Sequence, residues 1–173
     1  AFDVVTVAKG LDYPWGLAFL PSGEMLVTER PGRLRLVSAS GELSAPIAGV
    51  PRVDARAQGG MLDVAIDPDF ASNGLVYLSY SEPRSGGRSS TAVARGTLLR
   101  EGRLRLEGLT SIYRQEPALK STGHYGSRLV FAPDGMLFIT QGDRQIEQGR
   151  DLAQRDHRGL VVVFRHQHIG ATS

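Results

Sequence analysis

Residues 123–143 read GHYGSRLVFAPDGMLFITQGD, and this stretch decides the fold. A histidine among small residues leads into an alternating strand at 127–132. A turn follows at Pro133-Asp134-Gly135, then a second strand at 136–140 that ends on Gly142-Asp143. Paired as a hairpin, the two strands bring together the ends that lie away from the turn, so His124 and Asp143 become neighbours. A carboxylate that fixes an imidazole's tautomer leaves the other ring nitrogen as a usable base near neutral pH. The same two residues also read as a solvated loop histidine and an aspartate closing a strand, and spacing alone does not choose between these readings.

The hairpin pattern recurs along the chain. WGLAFLPSGEMLVTER from Trp15 and MLDVAIDPDFASNGLVYLSYSE from Met61 each show an apolar strand, a proline turn and a second apolar strand, like the stretch from Ser127. Pro21 and Pro68 stand about one ~40–50-residue propeller blade apart, and Pro133 follows after a longer interval that fits a blade with an inserted loop. Strong β formers alternate with turn residues throughout, and no amphipathic helix is evident; residues 148–158 read as loop. The expected architecture is all-β, a β-propeller of four-stranded blades of which the chain holds just under three. Blade one covers about 15–50, with a fourth strand near 43–48. Blade two covers about 60–114, and an incomplete blade three about 126–165. Residues 2–7 read as a further strand without a blade of its own, and RSGGRSS at 84–90 as a mobile hairpin loop. Blades bury one another's faces, so an arc of three leaves open faces and edges that favour self-association.

Composition narrows the function classes. The chain has 173 residues, 41% hydrophobic and 22% charged, which fits one globular domain. Its net charge is +2, with many arginines against two lysines, Lys9 and Lys120, and no basic stripe interleaved with aromatics, so nucleic acid is not an expected partner. No apolar run approaches the ~20 residues that cross a bilayer, and the absence of cysteine excludes disulfides and thiolate metal sites. The start at Ala1 fits a mature periplasmic or secreted protein, and a trimmed chain would look the same.

Three segments together, GLDYPWGLAFLPSGEMLVTERPGRLRLV, AQGGMLDVAIDPDFASNGLVYLSYSEP and STGHYGSRLVFAPDGMLFITQGD, resemble the first half of the soluble PQQ-dependent aldose sugar dehydrogenases, the glucose/sorbosone dehydrogenase-like family. The resemblance covers about residues 2–156. It implies a six-bladed propeller, of which this chain would be half, and an activity that oxidises an aldose at C1 to the lactone with hydride transfer to PQQ and calcium polarising the quinone. It makes His124 the general base, Asp143 its hydrogen-bonding partner and Gln58 a cofactor contact. Glu147 and Gln148 fall where the family lines its sugar pocket, and Tyr125 either contacts substrate or packs. The family's cationic contacts to PQQ and its calcium ligands belong to the second half, and RHQHIGATS at the end no longer resembles it. The chain alone is therefore expected to be inactive, one part of an enzyme. The alternatives are a non-catalytic propeller fragment that self-associates or binds a complementary half-propeller, or a sugar-binding module.

Other candidate sites are weaker. Asp67, Asp69 and Asn73 in DPDFASNG lack the twelfth-position glutamate of a calcium loop and read as an Asx turn. His166 and His168 have no evident third ligand, so no metal site is assigned to this chain.

Overall fold

The computed structural model describes residues 2–145 and the backbone of 160–165. Glu147, Gln148, His166 and His168 lie outside the described residues. Among the described residues ten strands form three antiparallel sheets. The first holds β1 (Pro14–Phe19), β2 (Met25–Glu29) and β3 (Arg33–Val37). The second holds β4 (Met61–Ile66), β5 (Leu75–Arg84), β6 (Arg88–Leu99) and β7 (Arg105–Arg114). The third holds β8 (Gly126–Phe131), β9 (Met136–Gln141) and β10 (Leu160–Arg165). Each sheet is a meander in chain order, and the protein is all-β; the α-helix among the described residues is the single turn α1 (Phe70–Asn73).

The repeated sequence folds as a repeated turn. In the first sheet Leu20 N donates to Glu24 O and Gly23 N to Leu20 O; in the third Ala132 N donates to Met136 O and Gly135 N to Ala132 O. Gly23 and Gly135 close these turns at φ 84° and 79°, a region open to glycine at little cost. In the second sheet the corresponding segment is a network of side chains. Asp67 Oδ1 accepts from the Asp69 N–H and the Asn73 amide, and Asn73 Oδ1 accepts from Leu75 N, as the Asx-turn reading expects.

The second sheet is covered on both faces. Leu26, Leu34 and Ile47 pack against Met61, Val64, Val76 and Leu78 on one side. Tyr77 and Val93 pack against Leu129, Leu137 and Ile139 on the other. The first strands of the sheets lie against each other, β1 on β4 and β4 on β8. Buried hydroxyls and one carboxylate hold these seams. Thr28 Oγ1 accepts from Gly16 N and donates to Leu62 O across the first seam. Ser79 donates to Ser127 O, and Leu129 N donates to Asp63 Oδ2, across the second. A polar group in such a seam adds stability only when it is bonded, so these contacts also fix how one sheet sits on the next.

Three sequence expectations are corrected. Residues 2–7 form no strand, and Phe2, Val4, Val5 and Val7 are exposed. Alternation makes a strand only where an edge is available to pair with, and none of the described strands pairs with this segment. Residues 43–48 run beside β3, with Ser44 N bonded to Leu36 O and Ile47 N to Leu34 O, but make only isolated bridges. Pro46 interrupts them, having no N–H to give a ladder. At 84–90, β5 and β6 stay paired out to Arg84 opposite Arg88, with a tight turn at Ser85–Gly87 in place of a loose loop.

Candidate active site

The site forms where β8 and β9 meet at the end away from their turn. Gly126 pairs with Gln141, and the register then shifts before Leu129, so the residues ahead of β8 leave the ladder beside those after β9. Gly142 N donates to Tyr125 O and Arg144 N to His124 O, which carries the pairing past the regular strands. A Cβ on Gly142 would stand 2.0 Å from His124 O, so only glycine lets the two chains approach this closely.

His124 and Asp143 meet there. Nδ1 of His124 lies 2.7 Å from Oδ1 of Asp143. The Gln145 backbone N–H and the imidazole hold the Asp143 carboxyl below its ordinary pKa, so it is an acceptor and Nδ1 carries the proton. Nε2 is then a lone pair, and it faces the Gln145 amide nitrogen at 3.1 Å. The backbone of His124 is tied as well, its N–H donating to Gln58 Oε1 at 2.8 Å. The imidazole and the carboxylate are both exposed, so both can be reached from outside.

The backbone around the ring is in an uncommon conformation. His124, Arg144 and Gln145 have φ of 48°, 61° and 54°, and Ala57, next to Gln58, has 45°. Left-handed backbone costs a non-glycine residue about 1–2 kcal/mol, so the surrounding bonds must hold these residues in place. Gln58 N donates to Thr122 O and Gln145 N to Asp143 Oδ1. A Cβ on Gly123 would fall 2.4 Å from Gln145 Oε1, so this glycine leaves room for the amide over the ring.

The predicted site residues separate into groups. His124, Asp143 and Gln58 come together. Tyr125 is buried, 3% exposed, with its hydroxyl bonded to Ser89 Oγ and its ring 3.7 Å beneath the Arg144 guanidinium. Glu147 and Gln148 lie outside the described residues. Gln145 and Arg144 were not anticipated, because an arginine and a glutamine in a polar loop carry no periodic or spacing signal.

With this geometry in hand, relatives can be compared. The family model for glucose/sorbosone dehydrogenases matches residues 11–172, which include the whole site. The chain belongs to the glucose/sorbosone dehydrogenase family. Among that family's members, the Escherichia coli aldose sugar dehydrogenase YliI is 46% identical over 142 residues, which are 82% of this chain and 38% of that one. A crystal structure of a glucose dehydrogenase superposes with a TM-score of 0.81 at 47% identity, covering 90% of this chain and 45% of its own. The PQQ-bound aldose sugar dehydrogenase of Streptomyces coelicolor gives 0.76 at 29% identity, covering 93% and 47%. The chain thus spans less than half the length of these glucose/sorbosone dehydrogenase relatives.

The residues present fit part of what a PQQ site needs. Gln58 has its oxygen engaged by His124 N, which leaves its amide N–H groups for an acceptor such as a quinone oxygen. Counter-charge for an anionic cofactor is another matter. Arg144 is spent on buried carbonyls, Arg56 on Asp54 and Gly87 O, and no group of three His, Asp or Glu that could hold a metal occurs among the described residues.

Proposed function

We propose that this chain carries the proton-accepting part of a sugar dehydrogenase site, acting on the C1 hydroxyl of an aldose in the periplasm or outside the cell. The observation that carries this reading is the 2.7 Å contact of His124 Nδ1 with Asp143, which leaves Nε2 free of a proton. The substrate hydroxyl displaces the Gln145 amide from Nε2 and gives its proton to that nitrogen. The imidazolium that forms is stabilised by Asp143, which stays ionised. PQQ, when bound, supplies the two-electron acceptor for the C1 hydride, so that the aldose leaves as the lactone. Gln58 would face the quinone, and Glu147 with Gln148 would line the sugar pocket. No step is assigned to calcium, because the described residues offer it no ligand set. We read the three sheets as blades of a propeller whose remaining blades, as in the longer relatives, carry the anion contacts.

The reading is tested by dye reduction with aldoses in the presence of PQQ and calcium. The chain alone is expected to give no turnover. A chimera in which residues 11–145 replace the matching stretch of the E. coli relative is expected to turn over. An inactive chimera that folds and binds PQQ would refute the reading.

A second reading, a fragment that self-associates without turnover, has one observation in its favour. Trp15, Leu17 and Phe19 on β1 and Val130 on β8 are exposed, large and apolar.

A further inference from the structure

We propose that Arg144 is the positioning residue of the site, the group that fixes which nitrogen of His124 is free and where it points. The proposal rests on the reading of His124 as a base, but concerns the ring's state and not turnover.

Arg144 sits between Asp143 and Gln145, the two residues that bond the two ring nitrogens of His124. Its own side chain turns inward and is completely buried. There the guanidinium spreads its donors over three chain segments. Nε donates to Gly123 O at 3.1 Å and Nη2 to Ser121 O at 2.6 Å, both on the loop that carries His124. Nη2 also reaches Ser89 Oγ, and Nη1 reaches Ser89 O, at the start of β6. Nη1 donates further to Gln115 Oε1, just beyond β7. The Tyr125 ring closes the remaining face, and the Tyr125 hydroxyl bonds the same Ser89 Oγ.

Every one of these partners is neutral, and among the described residues no carboxylate lies within ion-pair distance of the guanidinium. Burial accordingly draws the Arg144 pKa down. A buried cation with no carboxylate in contact, and only Asp54 acting on it through space, is an expensive way to anchor a loop; an apolar side chain would pack with less loss. What a guanidinium adds is a rigid planar fork that engages several acceptors at fixed angles, which neither lysine nor methionine reproduces. Here that geometry ties Gly123 and Tyr125, the residues on either side of His124, to Arg144, which follows Asp143. The left-handed backbone at His124, Arg144 and Gln145 lies within the same clamp, and Arg144 N itself donates to His124 O. Without the fork, Asp143 and Gln145 lose their fixed placement against the ring even though neither has been altered.

The test reads the imidazole directly, by nitrogen-15 NMR of His124 in the full chain, with Arg144→Lys and Gln115→Ala as variants. The native chain is expected to show one neutral tautomer, with the proton on Nδ1. Arg144→Lys is expected to show averaged ring-nitrogen shifts, while the amide spectrum of β4–β7 stays native. Gln115→Ala, which removes one acceptor and does not touch His124, is expected to give an intermediate loss, and it decides the question should the lysine variant not fold. A single Nδ1–H tautomer in a folded Arg144→Lys chain, or in Gln115→Ala if only that variant folds, would overturn the proposal. Because no cofactor or substrate enters the experiment, a failure of the dehydrogenase reading would leave this result intact, and the reverse also holds.

Discussion

At His124 the chemistry depends on which nitrogen holds the proton, and Asp143 decides that. Asp143→Asn keeps the shape but can present an amide N–H to Nδ1, which turns the ring over to the other tautomer. In the active chimera this substitution is expected to lower the turnover number by ~10² or more, with a smaller change in KM. The pH dependence follows in sign from the depressed Asp143 pKa. The contact is fully present above the ordinary aspartate range and is lost as pH falls through the lower folded value, so turnover is expected to fail there by loss of the imidazole's orientation. Gly123→Ala should act on the other nitrogen. The new methyl group meets Gln145 Oε1, and the amide over Nε2 must move; the expected readout is a shifted Nε2 resonance with the Nδ1 proton retained. The His124–Asp143 contact could be anticipated because hairpin pairing is a strong local rule and both residues end its strands. The roles of Arg144 and Gln145 could not, since they rest on left-handed backbone at residues whose type gives no sign of it.

At the scale of the elements, the seams between sheets carry much of the specificity. Thr28→Val keeps the volume but strands Gly16 N and Leu62 O in a buried seam, and is expected to cost about 1–3 kcal/mol by urea denaturation. Asp63 is a different case. Its Oδ2 holds Leu129 N, but its buried Oδ1 has no hydrogen-bond partner, and Arg128 stands 3.6 Å away. Burial raises the Asp63 pKa, so the folded chain binds this proton more tightly than the unfolded one. The stability it contributes is complete below the ordinary aspartate value of about 4 and declines as pH rises through the raised folded value. Asp63→Asn is therefore expected to flatten the dependence of the urea midpoint on pH above about 4; an unchanged slope would contradict this account. The strand pattern itself was largely visible in the alternation of β formers and the Pro-x-Gly turns. It misled where a strand needs more than alternation: a free edge in the case of residues 2–7, an unbroken run of N–H groups in the case of 43–48.

The molecule as a whole is a stack of three sheets in which the middle one is covered on both faces, while the first packs Met25, Val27 and Val37 beneath Ala8, Leu11 and Leu43 on part of its outer side. Trp15, Leu17 and Phe19 are left 42%, 46% and 67% exposed, on the strand of the first sheet that packs on the second. An apolar surface of this kind favours association. Sedimentation of the isolated chain is expected to show concentration-dependent assembly that Leu17→Lys with Phe19→Lys abolishes; a monomer at all concentrations would count against the open-face account. The site lies at the third sheet, and the relatives are about twice as long, so completing the stack and completing the site are expected to coincide.

The central claim is that the imidazole held at the end of the β8–β9 hairpin is the proton acceptor. The most direct measurement is the turnover number of the chimera on an aldose with His124 intact and with His124→Ala, PQQ content being matched. The expected result is a loss of ~10²–10⁴ with PQQ still bound; equal turnover in the two proteins would contradict the claim.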